Sequence, residues 1–285
     1  MKTIGVFAPS SYIEKDDIDT AAAVVKAYGL DVFVHPQTYA RYNQSAGTQA
    51  EKLAALHDLY RDDLIDIIWA AGGGNRALHI VDDIDYDFIA AHPKPMVGFS
   101  DVTALLNAIT AKTGIINYHG PVFKSLPQHQ ELEAFLSGDF TMPLGDAKII
   151  NAGHAEGTLF GGNLSLFQYL PQTIKGDWPD GAILFLEDCN EELSRIDRML
   201  LHLKRLGVFA RAAGLVFGQF TDLQDSTRPF GFSLEDIIRE HTCGLDIPII
   251  MNAPFGHGAQ NVPFAIGASA HLHADKAAVT LTCQG

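Results

Sequence analysis

The stretch Pro95-Met96-Val97-Gly98-Phe99-Ser100-Asp101-Val102-Thr103-Ala104-Leu105-Leu106, running on to Thr113-Gly114, decides the fold. A short apolar run through Phe99 reads as a buried strand. Apolar residues at helical spacing follow at once over 102–113, and Gly114 is a helix stop. Strand character resumes over 115–117. A strand turning directly into a helix and back to a strand is one winding of a parallel, doubly wound sheet.

The same alternation extends outward. Residues 3–8 and 31–35 read as strands, with a helix over 16–28 between them that ends at Gly29. Residues 48–62 read as a helix with Leu53, Leu56, Leu59 and Tyr60 on one face, and 65–71 as a buried strand that stops in Gly72-Gly73-Gly74-Asn75. The pattern weakens over 128–155, where Gly138, Pro143, Gly145 and Gly153 punctuate it. This predicts one lobe over 1–140, a linker over 141–160 and a second lobe over 161–285. In the second lobe, strands are expected over 182–186, 213–217 and 247–251, helices over 194–206 and 234–241, and a closing antiparallel pair from Phe264 onward. The expected class is α/β, with mixed β-structure in a smaller C-terminal lobe.

Composition bounds the function. The chain has 285 residues, 47% hydrophobic and 19% charged, as an ordinary globular protein does. Its formal charge is −14, from 34 acidic and 20 basic residues, and there is no run of Lys or Arg. Nucleic acid and anionic membrane surfaces both need a cationic face, so neither is an expected partner. Cys189, Cys243 and Cys283 form no CxxC pair, which argues against a disulfide framework or zinc ribbon and for a reducing compartment. No stretch reaches the roughly 18 apolar residues of a membrane span. The expected location is the cytoplasm, with neither metal nor cofactor.

In open α/β sheets, ligands sit beyond the carboxyl ends of the strands. Ser100 lies at one such end, on a strand-to-helix turn that resembles a nucleophile elbow without the second glycine of GxSxG. There the Asp101 N–H faces the space above the sheet and is placed to hold an oxyanion. Serine is also a favoured helix N-cap, and on this segment alone the cap is the stronger reading. The turn Gly72-Gly73-Gly74-Asn75 suits either an oxyanion donor, Gly73 first, or a sharp turn that needs positive φ. It matches neither GxGxxG nor GK[ST], so a nucleotide site has little support. Glu187 ends a third apolar run, and His257 sits in a Gly-flanked loop after a fourth. Together, Ser, His and Glu supply nucleophile, base and orienting carboxylate. Cys189 is a rival nucleophile, and His271 with His273 share one face of a strand, without a carboxylate partner for a metal.

These residues carry a resemblance. Gly98-Phe99-Ser100-Asp101-Val102-Thr103-Ala104-Leu105 and Tyr118-His119-Gly120-Pro121 resemble the nucleophile region of the LD-carboxypeptidase family of serine peptidases. Gly161-Gly162-Asn163-Leu164-Ser165-Leu166, Ile183-Leu184-Phe185-Leu186-Glu187-Asp188 with Arg195-Ile196-Asp197-Arg198-Met199-Leu200, and Pro254-Phe255-Gly256-His257-Gly258 are similar to its later segments, in the same order. The resemblance implies a flavodoxin-like N-terminal lobe that carries Ser100, a C-terminal lobe that carries Glu187 and His257, and a Ser100–Glu187–His257 triad in a homodimer. It implies release of the terminal D-alanine from muropeptide tetrapeptides during cell-wall recycling. One departure concerns substrate. The family's turn often reads Arg-Gly-Gly-Tyr-Gly, whereas Ala71-Gly72-Gly73-Gly74-Asn75 is closer to the microcin C immunity branch, which cleaves peptidyl-adenylates. Gly74, Asn75 and Arg76 are the expected substrate contacts, and Arg76, Arg195 or Arg198 could read a substrate carboxylate. The readings from other classes are a non-catalytic nucleotide- or sugar-binding α/β module and an amidase built on Cys189.

Overall fold

The computed structural model describes residues 2–128, 142, 144, 146–275 and 279–284. The chain divides into two compact units, Met1–Phe140 with Pro263–Gly267, and Thr141–Val262 with Ala268–Gly285. The boundary expected at 140, and the punctuating Gly138, Pro143 and Gly145, lie outside the described residues.

In the first unit, the apolar runs become parallel strands, buried in the middle of the sheet as near-continuous hydrophobic strands must be, while the edge strand over 31–34 stays partly exposed. They are β1 (Thr3–Phe7), β2 (Asp31–Val34), β3 (Ile67–Ala70), β4 (Met96–Gly98) and β5 (Asn117–His119). Their order is β2-β1-β3-β4-β5, the flavodoxin-like arrangement. An antiparallel strand, β11 (Phe264–Ile266), closes the β5 edge. Helix α1 (Lys15–Ala27) buries Ile18, Ala21 and Val25 against Ile4, Val6, Trp69 and Val97 of the sheet. Ile18 and Val25 each contribute roughly 1.5–3 kcal/mol on burial. Helix α2 (Gln49–Arg61) starts at a capping box between Thr48 and Glu51. It buries Lys52, Ala55, Leu56, Leu59 and Tyr60, while the expected core residue Leu53 is only half-buried. Helix α3 (Tyr86–Ala91) occupies a stretch to which periodicity assigned nothing, and α4 (Thr103–Thr113) ends at left-handed Gly114 as the sequence predicted.

The second unit has a mixed sheet in the order β13-β12-β7-β8-β9-β10-β6. Its members are β6 (Lys148–Asn151), β7 (Gly153–Asn163), β8 (Ile183–Cys189), β9 (Gly214–Thr221), β10 (Ile249–Met251), β12 (Ser269–Ala274) and β13 (Val279–Gln284). Two of these stand where a linker was expected over 141–160. There, Gly153 and Gly157 are strand residues rather than breaks, and β7 runs beside β8 in parallel register from Leu159↔Ile183 to Asn163↔Glu187. The expected C-terminal antiparallel pair is β12–β13 alone, because residues 264–266 leave for the other sheet. Helix α5 (Leu193–Arg205) buries Ile196, Met199, Leu200 and Leu203, an i, i+3, i+4, i+7 stripe. Helix α6 (Leu234–Thr242) buries Ile237 and Ile238.

Candidate functional site

Three loops meet at the carboxyl end of the first sheet. The loop after β1 carries Ser10 and Ser11, the loop after β3 carries Gly72–Arg76, and the loop after β4 carries Ser100. Ser11 Oγ accepts the Asn75 N–H at 3.3 Å. A Cβ built on Gly73 would stand 3.4 Å from Ser100 Oγ, so the glycine turn runs directly beside that hydroxyl. Ser100 itself is left-handed, with φ +63°. It caps neither the 3-10 turn Ser100–Val102, whose cap is Phe99, nor α4, whose cap is Val102. The N-cap reading therefore gives way to a strained strand-to-helix turn.

Under Ser100 lies a polar layer that periodicity did not disclose. Asp101 is buried and accepts the Ala77 N–H at 2.7 Å. Burial holds its carboxyl above the usual range, opposed by the Ser10 hydroxyl, the Ala77 N–H, Lys52 and His79. Lys52 is buried too and donates to the Ser10 carbonyl at 2.8 Å. Burial pushes its ammonium down to about 8, against the pull of Asp101 and with the push of Arg76. Arg76 has φ +83° and an exposed side chain, and Asn75 and Gly74 are exposed beside it.

In the second unit, Glu187 is completely buried near the end of β8, and one of its oxygens meets His257 Nδ1 at 2.7 Å. Gly256, with φ +117°, permits this approach. A Cβ there would come within 2.8 Å of the same carboxylate oxygen. The Asn261 side chain fixes the loop by accepting the Gly256 N–H at 3.1 Å. Burial disfavours the charged imidazole, but the Cys189 and Glu187 side chains beside it outweigh burial and raise it to about 10. The Asn163 amide spans two carboxylates, reaching Glu187 at 3.3 Å and Asp188 at 3.1 Å. Asp188 is raised to about 7, first by burial and then by the Glu187 charge. Its oxygens also accept the N–H groups of Ser165 and Cys189.

The two parts of the expected triad thus belong to different units, with Ser100, Asp101 and Gly73–Arg76 in the first and Glu187 and His257 in the second. The chain matches the LD-carboxypeptidase N-terminal domain over residues 4–120 and the LD-carboxypeptidase C-terminal domain over 156–272. It belongs to the LD-carboxypeptidase family. A probable murein peptide carboxypeptidase of Bacillus subtilis is 33% identical, over 97% of this chain and 91% of that protein. The murein tetrapeptide carboxypeptidase of Pseudomonas aeruginosa is 30% identical, over 96% and 94%. The crystal structure of muramoyltetrapeptide carboxypeptidase from Oxalobacter formigenes superposes with a TM-score of 0.87 at 26% identity, covering 100% of this chain and 99% of that one.

The remaining candidates of this LD-carboxypeptidase sort by their contacts. Arg195 pairs with Glu191 at 3.1 Å on the surface of α5, and Arg198 is exposed on the same helix. His273 hydrogen-bonds to His154 and to Asp275, and His271 stands 3.9 Å from Glu156. Among the described residues, no group of three His, Cys, Asp or Glu side chains is placed to hold a metal ion. No helix among them is long and apolar enough to cross a membrane. Sequence reasoning missed Lys52, Asn163 and Asp188. A lysine in an amphipathic helix reads as solvated, and the Asn163 bridge depends on β7 lying beside β8.

Proposed function

We propose that this LD-carboxypeptidase is a serine-type hydrolase that cleaves the L,D-peptide bond of murein tetrapeptides and releases the terminal D-alanine. Ser100 is the nucleophile, His257 the base and Glu187 the orienting carboxylate. The observation that carries the reading is the 2.7 Å contact between His257 Nδ1 and the fully buried Glu187. That contact engages Nδ1 with the carboxylate and leaves Nε2 as the basic nitrogen of the neutral ring. The left-handed turn at Ser100, with Gly73 beside its hydroxyl, supports the nucleophile.

In this reading Ser100 Oγ attacks the scissile carbonyl as His257 Nε2 takes its proton. The N–H groups of Asp101 and Gly73 hold the oxyanion. His257 then returns the proton to the departing amino group of D-alanine, which leaves an acyl-enzyme on Ser100. A water attacks that ester with His257 again as base, and Ser100 is regenerated. Glu187, in contact with Nδ1, orients the ring and stabilises the imidazolium. Gly74, Asn75 and Arg76 contact the substrate. The family resemblance also carries a homodimer and a cytoplasmic setting.

The test is D-alanine release from a purified murein tetrapeptide by wild type and by Ser100→Ala. Wild type releases it, and the variant is slower by several orders of magnitude. Equal rates in the two proteins would remove Ser100 from the mechanism and make Cys189 the next nucleophile to test. No release by either directs the same pair of proteins to a peptidyl-adenylate.

A further inference from the structure

We propose that a cationic cavity beside the nucleophile turn is an oxyanion subsite, in which Arg76, backed by Lys52, binds the free C-terminal carboxylate of the peptide; the assignment rests on the reading of this chain as an LD-carboxypeptidase. The cavity has a volume of about 230 Å³ and is lined by Tyr42, Ser45, Thr48, Lys52, Arg76 and His79, among others. All of them belong to the first unit.

Three observations carry the proposal. The first is charge. The chain as a whole is strongly acidic, yet this cavity gathers a lysine, an arginine and a histidine. The nearby carboxylates already have partners. Asp101 accepts the Ala77 N–H, Glu51 accepts from the N–H and hydroxyl of Thr48, and Asp83 accepts from Gln49.

The second is unused donor capacity. The Lys52 side chain lines the cavity from a position only 1% exposed. One of its three ammonium N–H groups is taken by the Ser10 carbonyl. Among the described residues the other two have no acceptor, and the Arg76 guanidinium has neither an ion pair nor a hydrogen bond. A buried ammonium left short of acceptors is costly, and an entering anion would supply them.

The third is location and backbone. Arg76 is held at φ +83°, a region that favours glycine, and such outliers cluster at ligand clamps. It follows Gly73 by three residues, a span of at most about 10 Å, and Gly73 adjoins Ser100 Oγ. The terminal carboxylate of an exopeptidase substrate lies one residue beyond the scissile carbonyl. A long guanidinium side chain covers that separation, and its fork matches a carboxylate in two-point geometry.

The experiment compares a tetrapeptide bearing a free terminal carboxylate with its C-terminal carboxamide, in wild type, Arg76→Asn and Arg76→Lys. Asparagine tolerates the left-handed backbone, so the first variant removes charge without imposing strain. Wild type is expected to prefer the free acid at least 10-fold in kcat/KM. Arg76→Asn loses that preference mainly through a raised KM on the acid, and Arg76→Lys recovers part of it. An Arg76→Asn variant with the wild-type acid-to-amide ratio would overturn the proposal. A second readout is independent of turnover. N-acetyl-D-alanine and inorganic phosphate are titrated into wild type and Arg76→Asn, and the His79 imidazole NMR shift is followed. A saturable shift with acetyl-D-alanine, lost in Arg76→Asn, supports the subsite even if no tetrapeptide is cleaved. No shift in wild type, or saturation by phosphate alone, overturns the carboxylate assignment.

Discussion

At Ser100, position and conformation carry separate costs. A serine at φ +63° sits where an L side chain is disfavoured by about 1–3 kcal/mol. Glycine there would relieve the strain and remove the hydroxyl together. Ser100→Gly is therefore expected to be inactive and about 1 kcal/mol more stable than Ser100→Ala in urea denaturation. Equal stability of the two variants would show that the turn is not strained. His257 makes a second prediction. Its proton is held up to about 10 from the ordinary 6.5. The stability this contributes is complete below pH 6.5 and fades as pH climbs towards 10. The base form needed for attack gains over the same window, so kcat/KM of the free enzyme should rise with pH through the alkaline range. Removing the Glu187 charge by Glu187→Gln takes away one of the supports of the raised value. The midpoint of that rise should then move to lower pH, alongside a large drop in rate. A midpoint that stays in place would mean that Glu187 is not responsible.

Among the elements, the buried strands and the longer helices α1, α2, α4, α5 and α6 were legible because each has a local cause, whereas the six-residue α3 was not. The stripe Ile196, Met199, Leu200, Leu203 makes α5 amphipathic, and Thr48 with Glu51 starts α2. β6 and β7 were not legible. The glycines of β7 imitate a linker, yet at Gly157 and Gly161 neighbouring backbone comes too close for a side chain. At Gly161, with φ +146°, a Cβ would fall 1.9 Å from the Phe185 carbonyl oxygen on β8. Gly161→Ala should therefore cost roughly 3 kcal/mol or more, read from the urea midpoint. It should also weaken catalysis, because the same strand pair holds Asn163 against Glu187. A change below about 1 kcal/mol would show that β7 and β8 can separate at no cost.

For the whole molecule, the decisive feature is the excursion of residues 263–267 into the first unit. There β11 covers the β5 edge, and Phe264 stacks on His119 with ring centroids 4.5 Å apart. An open strand edge invites pairing with other chains. A fragment of residues 1–140 is expected to aggregate, as followed by light scattering. The same fragment with residues 262–268 attached through a short flexible linker should stay dispersed. If the short fragment is equally well behaved, β11 is not required as a cover.

The sequence by itself determined the α/β class, the serial strands and helices, and the positions of Ser100, Glu187 and His257 at the ends of apolar runs. These follow from local periodicity and from which residue types end a strand. Only the tertiary structure decided that Lys52 turns inward to the Ser10 carbonyl, that Asn163 bridges two buried carboxylates and that residues 264–266 join a distant sheet. Each of these depends on a partner 24 to 149 positions away in the chain, from Asn163 with Glu187 to Ile266 with Asn117. Such pairings are set by the packing of whole elements, and periodicity within one segment holds no trace of them.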